Sequence, residues 1–349
     1  MKPVPLANVA QLAEFDEIID VRSPGEFAQD HIPGALNFPV LDDAERERVG
    51  TIYKQISAFE AKKIGAALVS YNIARHLKEH FVDKPRTWKP LIYCWRGGNR
   101  SGSMAHVLKQ IGFDTAQLNG GYKTYRRSVM DELESLPNHF DFQVVCGPTG
   151  SGKSRLLQEL LKSGTQVLDL EELAAHRGSV LGNLPDASQP PQKMFDSQLW
   201  WTLKQFDPSL PVYVEAESKK IGLLRIPDAL LARMREGCCV RVEVATTLRV
   251  ALLKEEYAHF LADPAILKDK LDCLIGLYGH EIIANWNALA AQGLWDELVL
   301  ALLEKHYDPA YSKSTLKNYP NYTNTTPVVV ENITPAGFYA AARHILEQA

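Results

Sequence analysis

The chain has 349 residues, of which 46% are hydrophobic and 23% charged, and its formal net charge is −4. This length is enough for two domains, and this composition is typical of soluble globular proteins. No apolar run approaches the roughly 20 residues of a membrane-spanning helix, so no membrane partner is expected. The first residues, MKPVPLANVAQLAEFDEIID, are too acidic and too weakly apolar for a signal peptide, which predicts a cytoplasmic location.

In the first third of the chain, short apolar runs alternate with helical spacing. EIIDV at 17–21 predicts a buried strand, residues 42–82 have the spacing of a helical insertion, and LIYC at 91–94 predicts another strand. SMAHVLKQIG predicts a helix that ends at Gly112, and DTAQLNGGY predicts a strand and a turn. Alternating strands and helices indicate an α/β domain with a parallel sheet over residues 1–128.

The polar stretch at 129–141 predicts a linker, and residues 142–349 predict a second α/β domain with a helical C-terminal region. The evidence is a series of apolar runs that predict strands, namely FQVVC at 142–146, TQVLDL at 165–170, PVYVEA at 211–216 and CVRVEV at 239–244. Residues 247–305 are mostly helical in spacing, 306–335 are rich in loop residues, and 336–348 predict a last helix.

The five cysteines are Cys94, Cys146, Cys238, Cys239 and Cys273. Their number is odd and none belongs to a CxxC pair, which argues against a disulfide framework and against a structural metal. At least one is therefore a candidate reactive thiol. Three are better explained as small buried hydrophobic residues: Cys146, Cys239 and Cys273.

GPTGSGKS at 147–154 satisfies the phosphate-binding pattern GxxxxGK[ST], between a predicted strand and a predicted helix. Its glycines let successive backbone N–H groups point at an anion, and the helix N-terminus adds positive charge. The lysine reaches the terminal phosphates and the last serine suits Mg²⁺. The predicted phosphate-binding residues are Gly147, Gly150, Ser151, Gly152, Lys153 and Ser154.

Acidic residues near later strands are candidates for a Mg²⁺ shell: Asp169, Glu215 and Glu217. The alternatives remain open, because Asp169 could cap a helix and Glu217 could cap a turn. HRGSVLGN at 176–183 predicts either a second polar loop at the site or an ordinary surface loop.

Cys94 ends a predicted strand, and the residues after it form a candidate anion-binding loop: Trp95, Arg96, Gly97, Gly98, Asn99, Arg100 and Ser101. A helix N-terminus and two arginines favour a thiolate, which is the nucleophilic form of cysteine. Such a group suits sulfur-, selenium- or phosphorus-centred substrates. The interpretation requires that the Cys94 side chain be reachable.

The charged residues are unevenly distributed between the two predicted domains. Residues 1–128 sum to +4 and the remainder to −8, and between Arg96 and Arg127 six basic residues accompany one acid. On charge alone, a solvated surface explains this as well as an anion-facing patch does.

DVRSPGEFAQDHIPGALNFP at 20–39 resembles the signature of the rhodanese fold, which puts Cys94 in the active-site position. The chain departs from ordinary sulfurtransferases in one respect. Its loop has the spacing C-x5-R, with Arg100 as the seventh residue, as in the related dual-specificity phosphatases. The resemblance implies room for a larger anion than sulfane sulfur.

Over nearly its whole length the chain resembles the tRNA 2-selenouridine synthases, which join a rhodanese domain to a P-loop domain. The motifs that carry the resemblance are YCWRGGNRSGSMA, VGTIYK, AFEAKKIGAALVS, GPTGSGKS, AHRGS, QPPQKMFDSQLW and VYVEAESKKIG. The resemblance implies action on wobble 2-thiouridine in tRNAs for Lys, Glu and Gln. The sulfur is first geranylated by geranyl diphosphate, and selenium from selenophosphate then replaces it.

The resemblance also implies roles for residues, with no prosthetic group. Cys94 would carry selenium as a selanyl-cysteine, and Gly147–Ser154 would hold the prenyl diphosphate, with Mg²⁺ as a candidate ion. Phe195, Trp200 and Trp201 could line a geranyl groove, although core packing is the better explanation of them. A tRNA anticodon loop needs cations and aromatic faces, and the candidates are Tyr122, Lys123, Tyr125, Arg126, Arg127, Lys219 and Lys220.

Three other functions remain open. One is a rhodanese-like phosphatase fused to a P-loop module, which would use the C-x5-R loop. Another is a P-loop regulator whose first domain only binds a partner. The last is a thiosulfate sulfurtransferase with an appended ATPase, against which the longer loop argues.

Overall fold

A computed structural model describes residues 3–348. The chain divides into two compact units. The first contains residues up to Glu132 together with Pro191–Trp201, and the second contains Leu133–Pro190 and the residues from Thr202 onward. The break after Glu132 lies inside the predicted linker, but the segment 191–201, expected in the second domain, belongs to the first unit.

The first unit is built on a five-stranded sheet in which all pairs are parallel, in the order β1-β5-β4-β2-β3. The strands are β1 Leu6–Ala7, β2 Glu17–Asp20, β3 Leu36–Asn37, β4 Pro90–Tyr93 and β5 Ala116–Leu118. All four residues of β4 are buried, as expected for a central parallel strand covered on both faces.

Five helices of this unit connect the strands: α1 Pro24–Gln29, α2 Asp43–Gln55, α3 Ala58–His76, α4 Asn99–Ile111 and α5 Gly121–Leu133. α2 and α3 occupy the predicted insertion, and a π-helical turn, Leu77–Phe81, follows α3. α4 ends at Gly112 with φ 113°, which favours glycine. α5 continues through residues 129–133, so the beginning of the predicted linker is helical.

The second unit also has a five-stranded parallel sheet, in the order β12-β11-β6-β8-β7. Its strands are β6 Phe142–Cys146, β7 Gln166–Leu168, β8 Val212–Glu215, β11 Cys238–Val244 and β12 Val328–Val330, and a separate hairpin pairs β9 Lys220–Ile221 with β10 Leu224–Arg225. β6 is the central strand, and the loop that follows it leaves from the carboxyl edge, where α/β sheets bind ligands.

The remaining helices are α6 Lys153–Lys162, α7 Leu170–Leu173, α8 Gln192–Gln205, α9 Asp228–Glu236, α10 Thr246–Glu256, α11 Ala258–Ala262, α12 Pro264–Asp272, α13 Ile275–Ala291, α14 Trp295–Leu302, α15 Asp308–Asn318 and α16 Pro335–Gln348. Between residues 3 and 348, no helix combines the length and apolarity that crossing a membrane requires. The helical region predicted over 247–305 is confirmed as α10 to α14.

The segment 306–335, predicted to be loop, contains α15 and β12. That prediction is therefore partly wrong. β12 is only three residues long and lies between turn-forming residues, and α15 buries only Thr315, so neither has a periodic apolar pattern to detect. β12 pairs with β11 and forms an edge of the sheet.

Candidate active site

Cys94 directly follows β4, at the carboxyl edge of the first sheet. Its side chain is 3% exposed, and its Sγ accepts a hydrogen bond from the Ser101 hydroxyl at 3.1 Å. Ser101 lies in the first turn of α4 and is itself fully buried. The thiol is therefore at the N-terminus of a helix, as predicted, but the requirement that it be reachable is not met in this conformation.

The loop after Cys94 is held against the start of α5. The backbone N–H groups of Tyr122 and Lys123 donate to the carbonyl oxygens of Cys94 and Trp95, at 2.8 and 2.9 Å. Gly121 has φ 59°, and a Cβ at this position would collide with the Cys94 carbonyl oxygen. This close approach requires glycine, and it fixes the backbone on one side of the thiol.

Gln117 fastens the other side of the loop. From β5, its Nε2 donates to the Gly97 carbonyl oxygen at 2.7 Å and to the Ser101 Oγ at 2.8 Å. A chain of hydrogen bonds thus runs from Gln117 through Ser101 to the Cys94 sulfur. Gln117 was not predicted as a site residue, because its only signal in the sequence is a polar residue within the apolar run AQL.

Arg100, predicted as a residue of the anion-binding loop, pairs with a carboxylate in the structure. Its guanidinium pairs with Glu26 at 2.7 Å, and Arg46 approaches the same carboxylate at 2.9 Å. Burial raises the pKa of Glu26, but Arg100, Arg46 and the Ser23 N–H together lower it further, so that the net shift is downward. Arg100 is consequently committed to an ionised carboxylate on α1.

The remaining loop residues are more accessible. Trp95, Arg96, Gly98 and Asn99 are exposed. A groove of about 740 Å³ lies beside the loop, with Gly97, Gly98 and Asn99 on one side and α3 on the other. The loop therefore presents a cation and an indole to solvent while covering the thiol.

In the second unit, GPTGSGKS forms the turn between β6 and α6. Gly150 and Gly152 have φ values of 79° and 72°, in the region that favours glycine. Lys153 Nζ donates to the Gly147 carbonyl oxygen at 3.2 Å. The predicted loop geometry is thus present, with the lysine folded back over the position where an anion would lie.

Four of the six predicted phosphate-binding residues line a cavity of about 690 Å³: Gly150, Gly152, Lys153 and Ser154. Ser151 is an exception, because its side chain is fully buried next to Gly147. Its hydroxyl has no hydrogen-bond partner among residues 3–348. The side chain of Ser151 is therefore below the loop, and only its backbone can face a ligand.

Carboxylates line the wall of this cavity. The Ser154 hydroxyl donates to Glu171 at 2.9 Å, and the Glu171 N–H donates to Glu215 Oε1 at 2.6 Å. Glu215 is 1% exposed, and within the described part of the chain its Oε2 has no partner. The sequence analysis missed Glu171, which was one of two adjacent glutamates with no distinguishing pattern.

The pKa values of Glu215 and Glu217 are raised. Burial, followed by the charges of Asp169, Glu171 and Glu217, holds the pKa of Glu215 well above its ordinary value. Burial and the charge of Glu171 raise the pKa of Glu217 to about 8. Carboxylates crowded in this way repel one another, and a cation or a proton would relieve the repulsion.

Asp169 has a structural role. It is the N-cap of α7 and accepts a hydrogen bond from the Glu172 N–H at 2.8 Å. Its pKa is raised to about 6, mainly by burial. The capping alternative is therefore confirmed for this residue, which also lines the cavity.

The loop at 176–183 reaches the same cavity, through His176, Arg177 and Ser179. The Arg177 guanidinium lies over the Tyr257 ring at 4.9 Å, and the Tyr257 hydroxyl is 3.1 Å from Ser179 Oγ. Arg177 Nη1 is buried, and no described atom forms a hydrogen bond with it. The interpretation of this segment as a second polar loop of the site agrees with its position.

Several predicted tRNA contacts are engaged elsewhere. Tyr122 and Tyr125 are buried, so their prediction as exposed stacking faces is wrong. Arg126 is not a free cation, because it pairs with Asp196 at 2.5 Å and donates to the Lys193 carbonyl oxygen at 2.9 Å.

The other candidate cations remain on the surface. Lys123, Arg127, Lys219 and Lys220 are exposed. Of these, Lys219 forms an ion pair with Asp228 at 2.7 Å.

The aromatic residues proposed for a geranyl groove belong to the core. Phe195 and Trp200 on α8 are buried, and the Trp200 ring lies 5.7 Å from that of Tyr125. The core-packing alternative is confirmed for these two residues, and it explains why 191–201 joins the first unit. Cys146 and Cys239 are buried as predicted, whereas Cys273 is exposed, so that prediction is wrong.

Comparison with known proteins gives two family models and several relatives. A rhodanese-like domain model matches residues 6–128, and the tRNA 2-selenouridine synthase AAA domain model matches residues 140–274. A tRNA 2-selenouridine synthase of Shewanella denitrificans is 33% identical, with 88% of this chain and 91% of the relative covered. The Alcanivorax borkumensis protein of that name is 31% identical, with 84% and 88% covered.

The tRNA 2-selenouridine synthase of Nitrosomonas europaea is 37% identical over 247 residues. That match covers 69% of this chain and 63% of the relative, which is less than two thirds of the relative's length.

Proposed function

Because the chain belongs to the tRNA 2-selenouridine synthase family, we propose that it converts 2-thiouridine at the wobble position of tRNA into 2-selenouridine. The proposal includes two steps, S-geranylation by geranyl diphosphate and replacement of the S-geranyl group by selenium from selenophosphate. The substrates would be tRNAs for Lys, Glu and Gln in the cytoplasm.

One observation carries the proposal: the similarity to the Shewanella and Alcanivorax relatives covers most of the chain, which contains both a buried thiol loop and a phosphate cradle. A thiol alone or a P-loop alone fits many activities. A reaction that combines chemistry at sulfur with departure of a diphosphate uses both the thiol and the P-loop.

In the first step, the sulfur of 2-thiouridine attacks the first carbon of the geranyl group, the carbon–oxygen bond breaks, and diphosphate leaves. Positive charge aimed at the departing oxygens lowers this barrier. We assign that role to Lys153 and the backbone N–H groups of Gly150 and Gly152. Arg177, with its unpaired Nη1 in the same cavity, is a further donor.

The residues present fit a magnesium ion. The Glu215 Oε2 atom is buried without a partner, and the crowded carboxylates of Glu171 and Glu217 favour a cation. Ser154, Glu171 and Glu217, which line the cavity, would hold it, with Glu215 behind Glu171. When bound, the ion would neutralise charge on the diphosphate.

In the second step, water breaks the phosphorus–selenium bond of selenophosphate, which releases phosphate and a selenide nucleophile. The selenide attacks the ring carbon of the S-geranyl nucleoside, and geranylthiolate leaves as the carbon–sulfur bond breaks. We assign to Cys94 the positioning of this selenium at the ring carbon. Since its thiol is covered, binding of RNA must displace the loop at 95–98. Arg96, exposed on that loop, is placed to meet a phosphate of the RNA.

The position of Arg100 separates this proposal from the phosphatase alternative. A phosphatase with a C-x5-R loop needs its arginine directed at the phosphate on the cysteine, whereas here Arg100 pairs with Glu26 at 2.7 Å. The pairing of Arg100 with Glu26 therefore argues against the phosphatase alternative.

The test is mass spectrometry of wobble nucleosides after incubation of the protein with thiolated tRNA, geranyl diphosphate and selenophosphate, each omitted in turn. We expect S-geranyl-2-thiouridine without selenophosphate and 2-selenouridine only when all are present. Release of phosphate from an aryl phosphate without any change in the tRNA would overturn the proposal.

A further inference from the structure

Helices α2 and α3 form the helical insertion of the first unit and expose a cluster of large apolar side chains where they join. α2 ends at Gln55 and α3 begins at Ala58. Around this turn, Tyr53 is 58% exposed, Ile56 is 72% exposed and Phe59 is 68% exposed. Clustered apolar side chains of this size on a soluble protein indicate an interaction site, whereas single ones do not.

The same part of the insertion is basic. From Arg48 to Lys78 the chain has six Lys and Arg residues and one acid, Glu60, which pairs with Lys63 at 2.8 Å. Lys54 and Lys62 are exposed, and neither forms an ion pair with any residue between 3 and 348. These two lysines can therefore bind an external anion without giving up an ion pair.

The two kinds of side chain together form a surface that we call the insertion tip: Tyr53, Lys54, Ile56, Phe59, Lys62 and Lys63. Unstacked RNA bases pack on aromatic faces, and lysines bind the phosphates between them. An acidic polypeptide would use the lysines but would leave the exposed rings without a matching partner. The chemistry of the insertion tip therefore favours single-stranded RNA.

Helix α3 leads from the insertion tip to the Cys94 loop. Its Ser70 lines the groove beside that loop, opposite Gly98 and Asn99. At about 1.5 Å per residue, Ser70 lies about 16 Å along the helix from Phe59, which is the length of roughly five stacked nucleotides. Among the described residues, none that lines the groove and none exposed on α3 is acidic. One loop of RNA can therefore contact both the tip and the groove.

α3 is fixed in the orientation that this requires. Gly65 packs on Val49 of α2, where a Cβ on the glycine would lie 3.4 Å from the valine side chain. Asn72, on the buried side of α3, donates from Nδ2 to the Val40 carbonyl oxygen at 3.2 Å. The same amide donates to the Glu45 carboxylate at 2.8 Å. These contacts hold the opposite side of the helix toward solvent.

From these observations we propose that the insertion tip binds single-stranded nucleotides of the substrate RNA, with its lysines on phosphates and its aromatic rings against unstacked bases. The proposal rests on the proposed function, which requires a tRNA substrate. It adds the surface that holds the RNA while another part of the same loop meets the residues after Cys94.

The experiment measures binding of a fluorescein-labelled, unmodified lysine tRNA transcript to the full-length protein over a range of salt concentrations. Lys54→Gln/Lys62→Gln should weaken binding by roughly 10-fold at 0.1 M salt. It should also reduce the slope of log K against log salt by about 1.4, since each phosphate contact on a single strand contributes about 0.7. Arg86→Gln/Lys89→Gln is the charge-matched control, because both side chains are exposed and precede β4; it should change neither quantity.

Removal of a ring gives a second, different signature. Phe59→Ala should weaken binding by roughly 10-fold through lost stacking while leaving the salt slope unchanged. Tyr339→Ala, at a half-exposed ring of α16, is its control and should bind as the wild-type protein does. All these side chains are exposed, so the melting temperatures should stay equal.

Wild-type affinity and salt slope in Lys54→Gln/Lys62→Gln, or wild-type affinity in Phe59→Ala, would overturn the proposal. Displacement of the transcript by polyglutamate as readily as by polyuridylate would also overturn it, because the surface would then be one for an acidic polypeptide.

These results are separable from failure of the proposed function. If the wild-type protein converts thiolated tRNA and Lys54→Gln/Lys62→Gln does so with an unchanged KM for tRNA, the insertion tip is not used and the proposed function stands. If the wild-type protein does not modify tRNA but binds it through Lys54, Lys62 and Phe59, the insertion tip stands and the tRNA reaction falls.

Discussion

The Cys94 loop and the P-loop are built on the same plan and differ in how their polar groups are satisfied. Each follows a central parallel strand and leads into a helix N-terminus. In the first, the chain itself supplies partners to the thiol, through Ser101 and Gln117. In the second, Arg177 Nη1 and Glu215 Oε2 are buried with no partner among residues 3–348.

Buried polar groups without partners are costly, so they indicate where a ligand supplies the missing interactions. The P-loop cavity is in this sense incomplete, whereas the Cys94 loop is complete and closed. On the proposed function, the P-loop cavity can receive its ligand as it stands, whereas the loop after Cys94 has to move before a substrate reaches the thiol. The following predictions test this difference.

Cys94→Ser should have the largest effect. We expect selenation to fall by roughly 10³-fold or more, since a hydroxyl does not replace a nucleophilic thiol, while S-geranylation in the other unit persists. Nucleoside mass spectrometry reports both. Cys273→Ser, at an exposed cysteine of the second unit, is the control and should retain both steps; undiminished selenation in Cys94→Ser would remove the thiol from the mechanism.

Lys153→Ala should have the opposite effect to Cys94→Ser, because geranylation should be lost and selenation kept. Loss of a charge that stabilises the departing diphosphate should slow geranylation by roughly 10²–10³-fold, while selenation of tRNA already carrying the S-geranyl group should remain. Lys162→Ala removes a lysine from the other end of the same helix, where it pairs with Glu159, and should change neither rate. Equal loss of both steps in Lys153→Ala would contradict two separate sites.

Gln117→Leu tests whether the closed loop must open. Without the bonds to Gly97 and Ser101, the loop should be displaced more easily, and Cys94 should react faster with iodoacetamide. Selenation should meanwhile fall by about 10-fold, because a positioned sulfur is more reactive than a mobile one. If Gln117 only stabilised the fold, Gln117→Leu would lower the melting temperature and would leave the rate at which iodoacetamide alkylates Cys94 in the native protein unchanged.

The smallest effect concerns pH. His76 is buried, with Nε2 2.9 Å from the Pro39 carbonyl oxygen, and burial lowers its pKa from 6.5. Below pH 6.5 the unfolded chain binds a proton that the folded unit resists, so the free energy of unfolding should fall as the pH decreases.

Thermal unfolding between pH 7.5 and pH 5 measures this slope. His76→Gln should flatten it by the contribution of one group, whereas His139→Gln, at an exposed histidine, should not. An identical slope in His76→Gln and the wild-type protein would show that burial of this ring is not linked to protonation.

Sequence alone predicted the features that depend on neighbouring residues. The P-loop, the strand before Cys94 and the helix after it follow from local patterns, and each lies where it was expected. The ion pair of Arg100 was not predicted because its partner, Glu26, is 74 residues away in the chain. Gln117 was not predicted because its partners, Gly97 and Ser101, are also distant in the sequence.

The apolar pattern of a helix also does not indicate which of the two units its apolar residues pack against. Phe195 and Trp200 were recognised as core candidates, but the unit whose core they complete depends on Tyr125, 70 and more residues earlier.

The return of residues 191–201 to the first unit limits how the protein can be divided. A fragment ending at residue 140 would keep the whole first sheet but lose Trp200 and Asp196, uncovering Tyr125 and leaving Arg126 without its close ionic partner. Such a fragment would expose an apolar surface that is buried in the full chain. If the fragment were poorly soluble, the cause would be this truncation and not an unstable first unit.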